Sequence, residues 1–117
     1  MSKFLFIYRE SANFNPADIS PDEMQSNMGK WMEWLGQGQE QGWVLAMGDP
    51  LTPDGRVVLS DKSITDGPYA ESKELVGGYS IIQAKDYDQA CEYAMGCPIY
   101  ETGGVVEVRQ IAEIPSE

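Results

Sequence analysis

The chain has 117 residues, of which 42% are apolar and 23% charged, and its 19 acidic and 8 basic residues give a formal net charge of −11. A chain of this size can bury one modest core, so we expect a single domain over residues 1–117. The negative charge repels phosphate backbones and anionic headgroups, which argues against nucleic acid and membrane surfaces as partners.

Signals for targeting, metals and cofactors are absent from the sequence. The apolar run at residues 4–8 is interrupted by Arg9 and Glu10, and it is too short for a signal peptide or a membrane span. We therefore expect a cytoplasmic protein. With two cysteines and no histidine the chain cannot form a four-ligand Cys/His zinc site, and its glycines match no nucleotide-binding loop. We expect neither a metal nor a cofactor.

The first half of the chain predicts a strand, a helix and a second strand. Residues 3–9 are rich in strand formers and predict the first strand. Ser20 is a capping residue before a proline at the first helical position, so a helix begins there. Gly42 ends this helix before a second strand at 43–47. Five residues at helical spacing predict the core face of the helix, with a cofactor-binding stripe as the alternative: Met24, Met28, Trp31, Met32 and Leu35.

The second half predicts a hairpin, two strands and a short helix. Residues 56–65 suggest a small hairpin around Asp61 and Lys62, inserted between the main strands. A third strand at 79–84 follows a glycine pair, and a fourth is predicted at 105–111. Asp86 caps the helix between them, whose buried side is predicted to be Ala90, Cys91 and Ala94.

The resulting β-α-β-hairpin-β-α-β order is typical of a ferredoxin-like α+β fold, an antiparallel sheet with two helices on one face and a hairpin insertion. The strands are apolar on both sides, as Leu5 and Ile7 alternate with Phe4 and Phe6. An apolar face without helices is rare on a monomer. We therefore expect a homodimer that covers this face.

The sharpest local motif is the segment Asp66-Gly67-Pro68. An aspartate can accept backbone hydrogen bonds while glycine and proline shape a turn, which is a structural explanation. The functional alternative makes Asp66 a general base at the mouth of a cleft, because burial would raise the pKa of its carboxyl.

Further candidate ligand-binding residues are Tyr8 and Arg9 on the first strand and Arg109 on the last, with ordinary cross-strand pairing as the alternative. Lys73, which lies between two glutamates, either orients a polar ligand or forms surface ion pairs. Cys91 is expected to be a core thiol, and Cys97, in a loop, to be the more accessible one.

Residues 65–79 resemble the signature of the YCII-related, DGPF-type family, which is usually written Asp-Gly-Pro-Phe. The opening Phe-Ile-Tyr, the Ser-Pro-x-Glu-Met helix start, the Gly-Asp-Pro-Leu segment, Cys97-Pro98 and residues 103–109 are similar to that family in the same order. The similarity covers nearly the whole chain. Tyr69 stands where the family has phenylalanine, which adds a hydroxyl and makes Tyr69 another candidate ligand-binding residue.

The resemblance implies a dimeric α+β barrel. The His-Asp pair suggested for related YCII proteins does not transfer, because this chain has no histidine. The function expected is small-molecule binding in a cleft near the Asp-Gly-Pro-Tyr loop, with acid–base catalysis as an extension. Two alternatives stay open: a non-enzymatic regulatory or interaction accessory, and, by analogy of fold, a cofactor-free isomerase or oxygenase.

Overall fold

The structure, a computed structural model, describes residues 1–11, 16–67 and 74–115. These residues form four strands and two α-helices in the predicted order: β1 (Ser2–Ser11), α1 (Pro21–Gln41), β2 (Val44–Ala46), β3 (Glu74–Ala84), α2 (Tyr87–Ala94) and β4 (Val105–Gln110). Short 3₁₀ helices lie at Pro16–Asp18 and Pro98–Thr102. No helix within the described ranges has the length and apolar character that crossing a bilayer requires.

The strands of the described residues form one antiparallel sheet in the order β2-β3-β1-β4. The central strand β1 pairs with β3 from Ser2↔Ala84 onwards, and with β4 from Phe4↔Gln110 onwards. This order and the connecting helices agree with the ferredoxin-like arrangement expected from the sequence. The register between β1 and β3 shifts after Tyr8, so the strands bend at that point.

Both helices pack on one face of the sheet. Phe4 and Phe6 are two residues apart on β1 and therefore point to the same side. Phe4 meets Tyr87 of α2 edge-on, with ring centroids 5.0 Å apart, and Phe6 is parallel to Trp34 of α1 at 6.2 Å. Burial of each ring contributes about 1.5–3 kcal/mol, so these contacts fix both helices to the sheet.

The helix boundaries follow the predicted capping residues. The hydroxyl of Ser20 accepts a hydrogen bond from the backbone N–H of Glu23 at 3.1 Å, and Gly42 ends α1 in the left-handed region at φ +86°. Asp86 accepts from the N–H of Gln89 at 2.9 Å at the start of α2. The local sequence thus determines where each helix begins and where α1 ends.

The predicted core face of α1 is partly wrong. Leu35 is buried, but the three methionines of the stripe are exposed, with exposed fractions of 41% at Met24, 62% at Met28 and 60% at Met32. The buried face is rotated toward Trp34 and Gly38.

Gly38 is the physical reason for this rotation. A Cβ at this position would overlap Val44 Cγ2 and come within 2.8 Å of the Trp43 ring. The missing side chain lets the start of β2 cross α1 closely, so α1 turns its Gly38 side toward the sheet.

Strand β3 is longer than the predicted segment 79–84 and includes Gly77 and Gly78. A Cβ at Gly78 would lie 3.0 Å from the carbonyl oxygen of Asp49. Glycine is needed at this position because the chain after β2 crosses close to the strand. The glycine pair therefore lies within β3 and does not mark its start.

The insertion forms the expected small hairpin, with one bridge between Val58 and Ile64 and a turn in which Lys62 has φ +74°. Val58 and Ile64 are both largely exposed. The hairpin therefore adds apolar surface outside the core.

The sheet face opposite the helices is half-buried and apolar at its centre. Leu5 and Ile7 of β1 lie beside Ile81 and Tyr79 of β3 in register. No helix of the described residues packs on this surface, which we call the open face.

Candidate functional site

A cavity of about 500 Å³ lies between α1 and the sheet, beside the chain that follows β2. Helix α1 contributes most of its apolar wall, and β1, β3, residues 47–50 and Ile99 contribute the rest. The lining residues used below are Tyr8, Glu10, Asn27, Met28, Trp31, Met32, Asp49 and Tyr79.

The apolar wall consists mainly of α1 residues that the sequence predicted for the core but that border the cavity instead. Met28 and Met32 are one helical turn apart and border the cavity, and Trp31 lies between them in sequence. The Trp31 ring meets Tyr8 edge-on, with centroids 4.7 Å apart. This contact sets the position of the indole at the floor of the cavity.

Residues 47–50 are held against β3 by short hydrogen bonds. Ser80 Oγ donates to the carbonyl oxygen of Met47 at 2.6 Å, and the N–H of Leu51 donates to Gly77 at 2.8 Å. Gly48 has φ +75°, and a Cβ there would overlap the carbonyl of Tyr79. Only glycine fits this close crossing, which brings Asp49 to the mouth of the cavity.

Tyr8 supplies a neutral hydroxyl to the cavity. Its side chain is buried, and its O–H donates to Ser80 Oγ at 2.7 Å. Burial raises the pKa of Tyr8 well above its ordinary value, and the hydrogen bond to Ser80 only partly opposes this effect. The phenol is therefore protonated at every physiological pH, and its proton is directed away from a ligand.

Two carboxylates, Glu10 and Asp49, line the same cavity. The hydroxyl of Tyr79 donates to Asp49 Oδ2 at 3.2 Å, and this hydrogen bond to a carboxylate raises the pKa of Tyr79. No lysine or arginine of the described residues forms an ion pair with either carboxylate. Within the described ranges, the site therefore holds two carboxylates without a basic partner.

Asp66 lies apart from this site. Its side chain is exposed, and it is not among the described residues that line the cavity. Gly67 has φ +113°, and the Thr65 hydroxyl donates to the Gly67 carbonyl at 3.0 Å, so the backbone turn expected at this motif is present. The role of Asp66 as a base stays a prediction. Tyr69 and Lys73 lie outside the described residues.

The structure separates the other predicted ligand-binding residues. Tyr8 points into the cavity, whereas Arg9 and Arg109 lie on the open face. Arg9 Nε donates to Glu107 Oε1 at 2.7 Å, and Arg109 Nη1 lies 3.3 Å from Glu107 Oε2. The two guanidinium groups hold the pKa of Glu107 below its usual range. The Arg9–Glu107 pair is a cross-strand pair, the alternative weighed above, whereas Arg109 and Glu107 pair within β4.

The expected exposure of the two thiols is wrong. Cys91 is exposed on α2, and Cys97 is buried in the core. Ala90 and Ala94 point inward one turn apart, which leaves Cys91 on the helix flank, while the 3₁₀ helix beginning at Pro98 places Cys97 inside. Burial raises the pKa of the Cys97 thiol to about 12, so it stays protonated. Among the described residues, acidic and cysteine side chains form no group of three suited to a metal ion.

The sequence identified the cavity residues of α1 as a stripe, with a core face as its first interpretation and cofactor binding as the alternative, but it did not predict the Gly48-Asp49-Pro50 crossing. The signal was present in the methionines, whose spacing places them along one edge of a helix face that already holds two tryptophans. Gly48 is visible in the sequence, but the sequence does not show that it lies against β3, because that contact depends on the tertiary structure.

Comparison with known proteins gives matches to solved structures and to one family model. One of the similar structures is the 5-chloro-2-hydroxyhydroquinone dehydrochlorinase (TftG) of Burkholderia phenoliruptrix AC1100, in complex with 2,5-dihydroxybenzoquinone. It is 18% identical, the match covers 90% of each chain, and the TM-score is 0.42. No curated protein matches the chain. The sequence model of the YCII-related domain matches residues 4–115, so this chain belongs to the YCII-related family.

Proposed function

We propose that this YCII-related protein binds a small, largely apolar molecule in the cavity between α1 and the sheet. The observation that supports this proposal is the cavity itself, about 500 Å³ of space bordered by Met28, Trp31 and Met32. That volume is within the range of about 300–1,000 Å³ found for small-molecule sites.

The side chains around the cavity suit an apolar guest. Met28 and Met32 are more than half exposed, although their thioethers are apolar. Methionine is flexible and polarisable, so it adapts to ligands of different shapes. A guest that covers these side chains and the Trp31 ring removes apolar surface from water, which contributes roughly 25 cal/mol per Å².

Proton transfer is the reaction class that the site suits if the bound molecule is a substrate. Glu10 and Asp49 are carboxylates beside an apolar space, and each can accept a proton from a guest that lies in hydrogen-bonding range. Asp66, on the exposed turn, acts in this proposal only if its loop approaches the cavity.

Paired lysine substitutions test the site. We propose titrating the neutral fluorescent probe N-phenyl-1-naphthylamine into the wild type, Met28→Lys and Met24→Lys. Both methionines are exposed on α1, so both variants should fold, but only Met28 lines the cavity. We expect one probe per chain, at least tenfold weaker binding by Met28→Lys, and unchanged binding by Met24→Lys. Equal affinity for all three proteins would contradict the proposed site.

The assembly proposed is a homodimer joined through the open face. The centre of the open face is apolar, and no helix of the described residues covers it. A second copy on the open face would produce the dimeric α+β barrel implied by the family resemblance. In the alternative function, that of a non-enzymatic accessory protein, a partner protein would bind the acidic surface and the cavity would have no role.

A further inference from the structure

We propose that the cavity selects small organic cations, specifically protonated amines with an apolar body. This inference rests on the proposed function, because it specifies the class of ligand for the same site. Two independent features support it: the sign of the charge around the cavity, and the hydrogen-bonding capacity of its polar side chains.

Among the described residues, the charge around the cavity is negative. Glu10 and Asp49 line it, and none of the lysine and arginine side chains of the described residues does. The nearest basic residues in sequence are engaged elsewhere, as Arg9 pairs with Glu107 and Lys30 with Glu101 at 2.6 Å. A net charge of −11 strengthens the same field. An anionic guest would therefore be repelled, and a cationic guest attracted.

The hydrogen-bonding capacity points the same way, because the side-chain hydroxyls already donate within the protein. The Tyr8 hydroxyl donates to Ser80 at 2.7 Å, and the Tyr79 hydroxyl, on the open-face side of β3, donates to Asp49 at 3.2 Å. Asn27 Nδ2 donates to Glu101 at 3.3 Å, outside the cavity.

The hydrogen-bonding groups that remain available to a ligand are mainly acceptors. The lone pair of the Tyr8 phenol oxygen remains, together with the carbonyl oxygen of Asn27 and the two carboxylates. A primary ammonium carries three donors and no acceptor, which matches this set.

The apolar wall completes the match. Met28, Met32 and Trp31 provide the surface for the body of the amine. An indole ring also attracts a cation placed over its face. The cavity thus combines an apolar wall with a polar end that accepts hydrogen bonds and is negatively charged.

Three probes that share a phenylethyl body test the selectivity: 2-phenylethylamine, 2-phenylethanol and 3-phenylpropanoate. Binding is followed at the indole N–H signal of Trp31 in the ¹⁵N NMR spectrum, assigned with Trp31→Phe. At neutral pH and low salt we expect the amine to bind about tenfold more tightly than the alcohol and the carboxylate to bind most weakly. We also expect added salt to reduce the preference.

Charge-removing variants provide the second arm. Glu10→Gln and Asp49→Asn should each reduce the preference for the amine over the alcohol at least threefold. Glu40→Gln, at the end of α1 and outside the cavity lining, changes the net charge equally and should preserve the preference.

The possible outcomes separate the two proposals. Binding of the alcohol or carboxylate as tightly as the amine, or an unchanged preference in both cavity variants, would overturn the cation selectivity and leave the binding site in place. If neither these probes nor the neutral naphthylamine binds, the site itself is wrong.

Discussion

The tryptophans of the aromatic cluster differ in what surrounds them. Trp43 is 7% exposed and stacks on Tyr93, with ring centroids 4.4 Å apart. Trp31 is half-buried, contacts Tyr8 edge-on and borders the cavity. Since a ring beside an open cavity has fewer packing partners, Trp31 should matter less for folding than the sequence pattern indicates, and more for binding.

Alanine substitutions separate these two roles. Trp43→Ala should lower the free energy of unfolding by about 3–5 kcal/mol, as expected for a core tryptophan. Trp31→Ala should cost about 1–2 kcal/mol, because its ring borders the open cavity and is only partly buried. Urea denaturation measures both. A loss at Trp31 equal to that at Trp43 would show that the cavity is closed in solution.

Asp66 and Gly67 are adjacent but should respond differently to substitution. The Asp66 side chain is exposed, so Asp66→Asn and Asp66→Ala should each change stability by less than about 0.5 kcal/mol. Gly67 has φ +113°, so Gly67→Ala should cost about 1 kcal/mol or more. Denaturation midpoints of the three variants test this contrast. A large loss of stability for Asp66→Ala alone would show that the aspartate side chain, and not the glycine, stabilises the turn.

At the level of elements, helix α1 shows where sequence patterns succeed and fail. Ser20 and Gly42 predict its ends because capping depends on residues a few positions apart. Its buried face could not be predicted from spacing, because the face depends on the crossing with β2 at Gly38. The start of β3 was not predicted for the same kind of reason. Gly77 and Gly78 lie within the strand, where residues 49–51 cross close to it.

Two glycines of α1 form a matched test of this crossing. Gly36→Ala meets no atom within 4 Å, so it should raise the free energy of unfolding by about 0.5–1 kcal/mol through helix propensity. Gly38→Ala gains the same propensity but overlaps Val44, so it should lower stability by about 1–3 kcal/mol. Thermal unfolding of both variants measures the difference. Stabilisation by both substitutions would contradict the close crossing.

For the whole molecule, the sequence predicts the order of the elements and the apolar character of both sheet faces. It does not predict the cavity, because the cavity arises where α1, β3 and residues 47–50 meet. Of the predicted site residues, Tyr8 lies in the cavity, and Arg9 and Arg109 lie across the sheet from it. Tyr8 and Arg9 are consecutive on β1, so side-chain alternation places them on opposite faces, and Arg109 shares the face of its partner Leu5.

The proposed dimer is tested at the open face. Ile7 lies at its centre, and Ile7→Glu would place a carboxylate in the interface. Sedimentation at micromolar concentration should give twice the chain mass of 13.0 kDa for the wild type and the chain mass for Ile7→Glu. Met95→Glu, on a well-exposed residue just after α2, should remain dimeric. A monomeric wild type would contradict this assembly.

The central claim is that the cavity between α1 and the sheet is the binding site. A crystal structure of the protein grown with its tightest-binding probe tests this claim most directly. We expect the probe to contact Met28, Met32 and Trp31, with its polar end near Asp49. A probe bound on the open face or at the 66–67 turn, with the cavity empty or filled by protein side chains, would contradict the claim.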